Sequence, residues 1–457
     1  MKRIIVIGGG PGGYTAALKA AKLGAQVMLV EREEIGGLCT NWGCIPTKIY
    51  KNVAHIIELE RLAPTFGLEL TIKKLDFHHL QAFKDRIVDQ LRRGIKVLLE
   101  KNGVNIVKGQ ARFLSENKIE IENGEERIEV EGDGFIVATG SVPKELNIPG
   151  GAMDGLWTSR ELVEAEDLPQ SIAIIGGGVV GIEFAFILAA FGLEVSVIEL
   201  LPHILPGVDT EIVEYLENTL ARKIGVNLYL GRRLESITYS DDKFHLYIGK
   251  SETISVDRVL VAIGREPADT TGLYALGAKF KGRHPVRDEF LKTSIPNIYA
   301  IGDFAGEPLL AHKASFEGEI AALNLVEGDK VTFKVEHIPK AIFSTPEVGS
   351  VGLNEDEARE RGYDIKIGRF QFSALGRASA NARREGFIKV IAEVKSEKLL
   401  GIHILGEGAS EILAAATVAV AKGLTVKDFN DFVFSHPTLS EGLREAVLLV
   451  SGEPVVV

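Results

Sequence analysis

A repeated glycine-rich unit constrains the fold of this 457-residue chain more than any other feature of its sequence. In the first copy, a β-branched run at residues 2–7 leads into a glycine turn and a helical stretch that ends near Gly24, and a second apolar run stops at Glu31. The same order recurs between Ser171 and Glu199, with identical spacing of 16 residues between the first and the closing glycine and 23 residues from the first glycine to the acid. Strand, turn, helix and strand in this order predict a βαβ unit of an α/β protein.

Each copy of the unit carries a GxGxxG pattern. The glycines are Gly8, Gly10 and Gly13 in the first copy and Gly176, Gly178 and Gly181 in the second. In a dinucleotide-binding turn the first glycine makes the turn, the second lets pyrophosphate approach the backbone, and the third allows the helix to pack on the strand. Glu31 and Glu199 then stand where a carboxylate accepts the ribose hydroxyls. Because a carboxylate repels a 2′-phosphate, Glu199 favours NAD over NADP. One such pattern can reflect tight packing alone, but two with matched acids predict two dinucleotide sites.

Three later β-rich runs also end in turns that contain glycine. Ligands of parallel sheets collect at the carboxyl ends of the strands, so these turns are candidates for cofactor binding. The runs are residues 135–137, 258–261 and 298–301, and the turn residues that we assign to cofactor binding are Thr139, Gly140, Gly264, Gly302 and Asp303.

The length predicts about three domains. We expect residues 1–150 and 271–335 to form the first dinucleotide-binding domain, residues 151–270 the second, and residues 336–457 a separate α+β domain. In that last region two strand-like runs, residues 387–394 and 399–405, precede a helical pattern at residues 411–422. The expected fold class is therefore α/β, with two Rossmann-like domains and a C-terminal α+β domain.

Composition excludes several classes of protein. The net charge is −11, which supplies no basic field for a nucleic-acid backbone. Charged residues interrupt every apolar stretch before it reaches the ~20 residues that a membrane helix needs. The apolar run at residues 4–7 resembles the start of a signal peptide but ends in three glycines, so we expect a cytoplasmic protein.

Cys39 and Cys44 are the only cysteines, and they lie five residues apart directly after the first unit. A zinc site lacks further ligands, and a structural disulfide that closes so small a loop contributes little, so redox chemistry is favoured. Five residues rise about 7.5 Å along an ideal helix, too far for a disulfide, so the segment is expected to break between the cysteines. Pro46 predicts a helix that begins near Cys44, where a thiolate is stabilised. Lys48 then lies on the same face as Cys44, either beside that thiolate or a cofactor, or as a solvated lysine.

Residues 36–48, GGLCTNWGCIPTK, resemble the redox segment of the flavoprotein pyridine-nucleotide disulfide oxidoreductases, and most closely that of the dihydrolipoamide dehydrogenases. The likeness covers essentially the whole chain, including Gly302-Asp303 and the HPTLSE segment at residues 436–441. It implies FAD in the first unit, NAD in the second, a redox-active Cys39–Cys44 disulfide, and a homodimer formed through the last domain.

The resemblance also implies roles for further residues. His436 and Glu441 match the acid–base dyad, although Thr438 and Glu441 also fit a helix capping box in which Glu441 returns to the backbone. In relatives this histidine reaches the cysteines of the other subunit. Glu183 matches the acid that pairs with Lys48, or is a helix-surface glutamate. Asp303 matches the residue that binds the flavin's ribityl chain, and His312 lies near the flavin or in the core.

The implied activity is oxidation of dihydrolipoamide by NAD⁺, with the lipoyl group supplied by a protein of a 2-oxo-acid dehydrogenase or glycine-cleavage complex. The alternatives are an NAD(P)H-dependent reductase of another small disulfide and a flavoprotein redox-sensing module without dithiol turnover. Two departures from the family pattern leave the dithiol open. Trp42 replaces a usual valine or isoleucine beside the disulfide, and Phe434 replaces a frequent histidine.

Overall fold

The first third of the chain builds a parallel sheet with helices and a small antiparallel sheet around it. The computed structural model describes residues 1–249, 251–334 and 337–452. The elements up to residue 143 are β1 (Arg3–Ile7), α1 (Pro11–Lys22), β2 (Gln26–Glu31), α2 (Gly37–Trp42), α3 (Cys44–Leu62), α4 (Phe77–Lys101), β3 (Asn105–Lys108), β4 (Gln110–Ser115), β5 (Lys118–Asn123), β6 (Glu126–Glu131), β7 (Gly134–Val137) and β8 (Ser141–Pro143).

The second region repeats this plan. Its elements are α5 (Ser159–Glu164), β9 (Ser171–Ile175), α6 (Val179–Ala190), β10 (Glu194–Glu199), α7 (Thr210–Asn218), β11 (Asn227–Leu230), β12 (Leu234–Ser240), β13 (Lys243–Ile248), β14 (Glu252–Val256), β15 (Arg258–Val261) and β16 (Arg265–Pro267). Strand β16 pairs antiparallel with β8, so the turns that follow the two late strands meet.

The chain then returns to the first sheet and ends in an antiparallel one. The remaining elements are β17 (Phe280–Lys281), β18 (His284–Pro285), β19 (Ile298–Ala300), α8 (Ala311–Glu327), β20 (Lys340–Ile342), β21 (Val348–Gly352), α9 (Glu355–Glu360), β22 (Ile365–Gln371), α10 (Gly376–Ala380), β23 (Gly386–Glu393), β24 (Leu399–Gly406), α11 (Ala409–Ala421) and α12 (Glu441–Leu448). The two predicted strands and the predicted helix of the last region are confirmed as β23, β24 and α11. The boundary expected between residues 335 and 336 lies outside the described residues.

The two parallel sheets share one construction. The first has the order β19-β7-β1-β2-β3 and the second β11-β10-β9-β15. Alternate residues of a strand point to opposite faces. In β1, Ile4 and Val6 pack in the core with the helices α1 and α8, while Ile5 and Ile7 pack on the antiparallel sheet β4-β5-β6. Both faces are covered, which is why these strands are apolar throughout.

The C-terminal sheet has the order β20-β21-β24-β23-β22 and is antiparallel. Helices α11 and α12 share its hydrophobic core, with buried residues such as Ile402, Leu413 and Leu443. This α+β layer follows the two Rossmann-like regions, as predicted.

Candidate active site

We call the glycine turn of each βαβ unit its cradle. The three glycines of the first cradle, Gly8, Gly10 and Gly13, have different roles. Gly8 has a φ of 104°, a left-handed conformation that favours glycine, and a Cβ there would overlap the carbonyl oxygen of Ala138. A Cβ on Gly13 would overlap the carbonyl oxygen of Gly8, so this glycine lets the helix approach the strand. Around Gly10, in contrast, the nearest atom to an added Cβ is the Cα of Gly37 at 3.9 Å, which leaves room beside the backbone.

The second cradle repeats the arrangement. Gly176 has a φ of 107°, and a Cβ on Gly181 would overlap the carbonyl oxygen of Gly176. Within the described chain, no atom beyond its immediate neighbours lies within 4 Å of a Cβ added to Gly178. In both cradles the first and third glycines are required by the protein's own packing, whereas the second borders open space at a helix N-terminus, where a phosphate binds.

The acid that ends each unit is held in the same way. Glu31 accepts hydrogen bonds from the backbone N–H groups of Gly9 at 2.5 Å and Glu33 at 2.7 Å. Glu199 accepts from Gly177 at 2.6 Å and Leu201 at 2.7 Å. Burial raises the pKa of the Glu31 carboxyl, although the hydrogen bonds from its two backbone donors act to lower that pKa. Each carboxylate is thus tied to the glycine turn of its own unit.

A cavity of about 410 Å³ connects the first cradle with the cysteines. Its lining includes the predicted residues Gly8, Gly10, Glu31, Cys39, Cys44, Thr139, Gly140, Gly302 and Asp303. The Thr139 hydroxyl is buried on this wall without a hydrogen-bond partner among the described residues. An orphaned buried hydroxyl in a native site calls for a ligand or water. The cradle, the acid and this hydroxyl fit a dinucleotide cofactor that extends towards the cysteines.

Asp303 is held by two residues that the sequence analysis missed. The Ser141 hydroxyl donates to Asp303 Oδ2 at 2.7 Å, and Arg265 Nε donates to the same hydroxyl at 2.8 Å. Burial lowers the pKa of the Arg265 guanidinium, while the nearby Asp303 charge opposes that shift. Both missed residues directly follow predicted turn glycines, at positions 140 and 264, and that repeated position was the available signal.

The turn at Gly302 rests on a buried charged group that was also missed. Glu317 Oε2 accepts from the Gly302 N–H at 2.7 Å, and Glu317 Oε1 pairs with Arg287 at 2.7 Å and Lys313 at 3.4 Å. Burial lowers the pKa of Lys313, and the charge of Glu317 acts the other way. Glu317 is fully buried, so its removal would leave two cations without a counter-charge.

Cys39 and Cys44 form a disulfide with a Cα–Cα distance of 4.6 Å. The predicted break is confirmed, because Cys39 lies in α2, the chain turns at Gly43, and Cys44 is the first residue of α3. A Cβ on Gly43 would lie 3.0 Å from the carbonyl oxygen of Leu38, so glycine allows the two helices to meet this closely. Cys44 stands at the positive end of a 19-residue helix, which stabilises a thiolate there.

Lys48 and Glu183 meet across 135 residues of sequence. Lys48 Nζ lies 2.9 Å from Glu183 Oε2 and 3.8 Å from the centre of the Phe343 ring. Glu183 Oε1 accepts from the Phe343 N–H at 3.0 Å. The carboxylate is buried and the lysine is half-buried one turn after Cys44. Lys48 is not among the described residues that line the cavity around the cysteines.

His436 and Glu441 lie side by side in the C-terminal region. His436 Nδ1 is 2.8 Å from Glu441 Oε1, and Glu441 Oε2 accepts from the Thr438 N–H at 2.8 Å. Partial burial opposes ionisation of Glu441, but these two hydrogen bonds outweigh it and lower the pKa of the carboxyl. The Thr438 hydroxyl donates to Ser435 rather than capping α12, so only the glutamate half of the alternative capping box forms. The His436 ring is 78% exposed, and His436 is not among the described residues of the cavity wall.

Gly264 and His312 also lie off the cavity wall within the described chain. Gly264, with a φ of 104°, accepts a backbone hydrogen bond from Lys144 at 3.1 Å. His312 is exposed at the start of α8, and its Nε2 is 2.8 Å from the Pro339 carbonyl oxygen.

Comparison with known proteins agrees with this geometry. Residues 2–318 match the model of the pyridine nucleotide-disulphide oxidoreductases, and residues 338–447 match the dimerisation domain of the same enzymes. The chain belongs to this family, uses FAD and NAD(H), and forms a homodimer.

Individual relatives narrow the class. The chain is 40% identical to a dihydrolipoyl dehydrogenase of Thermus scotoductus, over 97% of this chain and 96% of the relative. It is 36% identical to one of Bacillus subtilis, over 99% and 98%. Among solved structures, LpdA from Mycobacterium tuberculosis aligns with a TM-score of 0.92 and 25% identity, over 98% of this chain and 100% of that one. The HOCl-induced flavoprotein disulfide reductase RclA of Escherichia coli, as a Cu(II) complex, aligns with a TM-score of 0.89 and 29% identity, over 98% and 99%.

Two further features of the described residues bear on the class of site. None of their helices combines the length and the apolar character that crossing a membrane requires. Among them, no three or more histidine, cysteine or acidic side chains are grouped as metal ligands.

Proposed function

We propose that this protein oxidises dihydrolipoamide with NAD⁺ by means of FAD and the Cys39–Cys44 disulfide. The observation that carries the proposal is the position of this disulfide on the wall of a cavity that begins at the glycine cradle of Gly8, Gly10 and Glu31. A redox-active sulfur pair and a dinucleotide cradle open into one space, so electrons can pass directly between them. The 40% identity to a dihydrolipoyl dehydrogenase supports this substrate.

The cysteines divide the chemistry. A substrate thiolate attacks Cys39, the S–S bond breaks, and Cys44 leaves as a thiolate at the N-terminus of α3. The second substrate thiol then displaces Cys39, which closes the substrate disulfide and leaves two electrons on the cysteine pair. The chemistry that a bound FAD would supply is acceptance of this electron pair and hydride donation to the nicotinamide. The Gly8–Gly10 turn, Glu31, Thr139 and Asp303 would hold FAD, and the turn of Gly176 and Gly178 with Glu199 would hold NAD.

Proton transfer falls to His436. Glu441 accepts from one ring nitrogen and fixes the orientation of the imidazole, which leaves the other nitrogen for a proton from the substrate thiol. The exposed ring stands in the region that matches the dimerisation domain. We infer that the histidine of one subunit serves the cysteines of the other.

Each region of the chain is assigned a part of this function. We assign FAD to residues 1–150 and 271–335, NAD to residues 151–270, and the subunit interface to residues 336–457. The dithiol is presented by a lipoyl-bearing protein of a 2-oxo-acid dehydrogenase or glycine-cleavage complex. We also propose a cytoplasmic location.

The reaction is tested with purified protein by following NAD⁺ reduction in the presence of dihydrolipoamide. We expect turnover by the wild type, and a Cys44→Ser variant that retains its yellow flavin but loses turnover by about three orders of magnitude or more. A parallel assay compares lipoamide, glutathione disulfide and CoA disulfide as acceptors, with NADH and with NADPH. Preference for another disulfide would replace the proposed substrate, and undiminished dithiol turnover in Cys44→Ser would refute the mechanism.

The role of His436 across the subunit interface has its own test. Cys44→Ser and His436→Gln subunits are each inactive, but a mixed dimer contains one site with both wild-type residues if the site spans two subunits. Random reassociation should restore about a quarter of the wild-type activity, because half of the dimers are mixed and each has one working site. Absence of any recovery in dimers shown to be mixed would place histidine and cysteines in the same subunit.

A further inference from the structure

The position of Cys39 depends on a very short helix. Helix α2 has only six residues and lies between Gly36, with a φ of 98°, and Gly43. So short a helix is not stable without tertiary contacts. Cys44, in contrast, begins a 19-residue helix. When the S–S bond opens, the contacts of α2 therefore decide where the Cys39 sulfur stays.

One anchor of α2 is Asn41. Its side-chain amide donates to the Gly37 carbonyl oxygen at 2.9 Å and to that of Ile35 at 3.2 Å, and its Oδ1 accepts from Arg92 Nε at 3.0 Å. These bonds hold the helix to its own N-terminal turn and to α4. A second anchor holds the C-terminal end of α2, next to the break at Gly43.

The second anchor is formed by Trp42, Arg160 and Glu164, which we call the indole clamp. Trp42 Nε1 donates to Glu164 Oε1 at 2.5 Å, and the Arg160 guanidinium carbon lies 3.9 Å from the centre of the indole ring. Arg160 also pairs with Glu33 at 2.9 Å. A cation over an indole face and a hydrogen bond to a carboxylate are both directional, so the clamp fixes the orientation of the ring as well as its place.

The clamp attaches α2 to helix α5, which is itself hydrogen-bonded to neighbouring elements. The carbonyl oxygen of Val163 in α5 accepts from Lys84 Nζ at 2.6 Å and from the Tyr50 hydroxyl at 3.2 Å, which tie α5 to α4 and α3. On its other side, the Trp157 backbone pairs with Val259 and Val261 along β15. Helix α5 is therefore held by both Rossmann-like regions, and Trp42 connects α2 to it.

We propose that Trp42 is a positioning residue that, through the indole clamp, holds Cys39 within bonding distance of Cys44 after the disulfide opens. The inference rests on the proposed function and concerns the same site. A thiol held close to its partner closes the ring at a higher effective concentration than a mobile one. The clamp therefore favours the disulfide over the open dithiol, and it keeps the Cys39 sulfur where an incoming substrate can use it.

The test measures the equilibrium between the protein disulfide and dithiothreitol in the FAD-loaded enzyme. In this exchange the protein S–S bond breaks and one forms in dithiothreitol, with two electrons and two protons passing to the cysteines. Trapping of free thiols with a maleimide and mass spectrometry give the equilibrium constant. We expect Trp42→Val to shift it about tenfold towards the open dithiol, equivalent to about 30 mV. Trp42→Phe, which keeps the contact with Arg160 but loses the N–H donor, should shift it by less.

Trp157→Phe is the matched control, because Trp157 is the only other tryptophan and lies outside the clamp. It should leave the constant unchanged. Glu164→Ala removes the acceptor from a half-exposed position and serves if Trp42→Val fails to fold. A constant equal to that of the wild type in Trp42→Val, or in Glu164→Ala and Trp42→Phe together, would overturn the proposal.

A kinetic comparison separates positioning from general damage. Dihydrolipoamide oxidation needs Cys39, whereas NADH reduction of ferricyanide passes through the flavin alone. In Trp42→Val we expect the loss of kcat/KM in the first reaction to exceed the loss in the second by about fivefold or more. Equal losses would overturn the proposal in favour of a structural role. If the wild type fails to oxidise dihydrolipoamide, the proposed function fails, while the dithiothreitol equilibrium still decides the role of Trp42.

Discussion

The two dinucleotide units of this protein are nearly the same in construction and differ in what the chain does next. In each, the acid at the end of the second strand accepts hydrogen bonds from two backbone N–H groups. The donors to Glu31 are Gly9 and Glu33, and the donors to Glu199 are Gly177 and Leu201. Each parallel sheet also packs one face on a three-stranded antiparallel sheet and the other on helices. These shared features are the ones to which we assign dinucleotide binding.

The difference begins after the acid. Behind Glu31 the chain enters α2 and α3 with the disulfide, whereas behind Glu199 it passes through a loop to α7. The helices of the two units differ as well. In α6 every residue from position 181 to 188 is buried, because α3 shares the hydrophobic core on its outer side. Helix α6 thereby brings Glu183 against Lys48. The cysteine pair thus lies on a segment that follows the acid of the first unit, and helix α6 of the second unit packs against that segment.

The sharpest way to separate the two units is to add a methyl group to the third glycine of each. In Gly13→Ala the new Cβ meets the Gly8 carbonyl oxygen, and in Gly181→Ala it meets that of Gly176. Overpacking of this kind costs up to about 3 kcal/mol, roughly a hundredfold in affinity. We expect Gly13→Ala to purify largely without flavin, and Gly181→Ala to retain flavin but to lose reduction by NADH. Flavin absorbance and NADH titration measure both.

Gly94→Ala is the control for these variants. Gly94 lies within α4, and among the described residues no atom outside its own stretch of that helix lies within 4 Å of a Cβ added to it. Flavin content and NADH reduction should be those of the wild type, with a stability gain of about 0.5–1 kcal/mol. If Gly13→Ala and Gly181→Ala impair the same nucleotide, the assignment of one cofactor to each cradle is wrong.

A smaller effect is expected where the two units touch. Glu183→Ala leaves Lys48 without its partner and the Phe343 N–H without an acceptor, which should lower the free energy of unfolding by about 1–3 kcal/mol and slow flavin reduction by NADH about tenfold. Glu183→Gln keeps an acceptor for Phe343 but removes the charge. Stopped-flow reduction and urea unfolding of both variants separate the two contributions. Wild-type reduction rates in both would mean that the pair serves only to join α3 and α6.

The smallest change is expected at the acids. Glu199→Ala removes a ribose acceptor worth about 1 kcal/mol, roughly a fivefold rise in KM for NADH, and it narrows the preference for NADH over NADPH. Glu31→Ala, the matched change in the other unit, should leave that preference alone and weaken the retention of FAD. Steady-state kinetics with both nucleotides test this pair. An altered nucleotide preference in Glu31→Ala would contradict the assignment of the two sites.

Much of the site followed from local pattern. Gly13 and Glu31 act through contacts within one βαβ unit, and the spacing of Cys39 and Cys44 required the break that Gly43 provides. Such features are readable because neighbours in sequence remain neighbours in space. The activity, and the roles of His436 and Lys48, came from a resemblance and not from the residues alone.

The contacts between distant segments belong to the tertiary structure. No local pattern joins Ser141 to Asp303 and Arg265, or Trp42 to Arg160, because these partners lie more than a hundred residues apart and meet only when the sheets stack. The burial of Glu317 is equally impossible to predict from the local sequence, since burial depends on what covers a helix and not on the helix itself. Backbone sterics and short-range spacing therefore determined the two cradles and the sulfur pair, whereas long-range packing decided which charges and rings hold them in place.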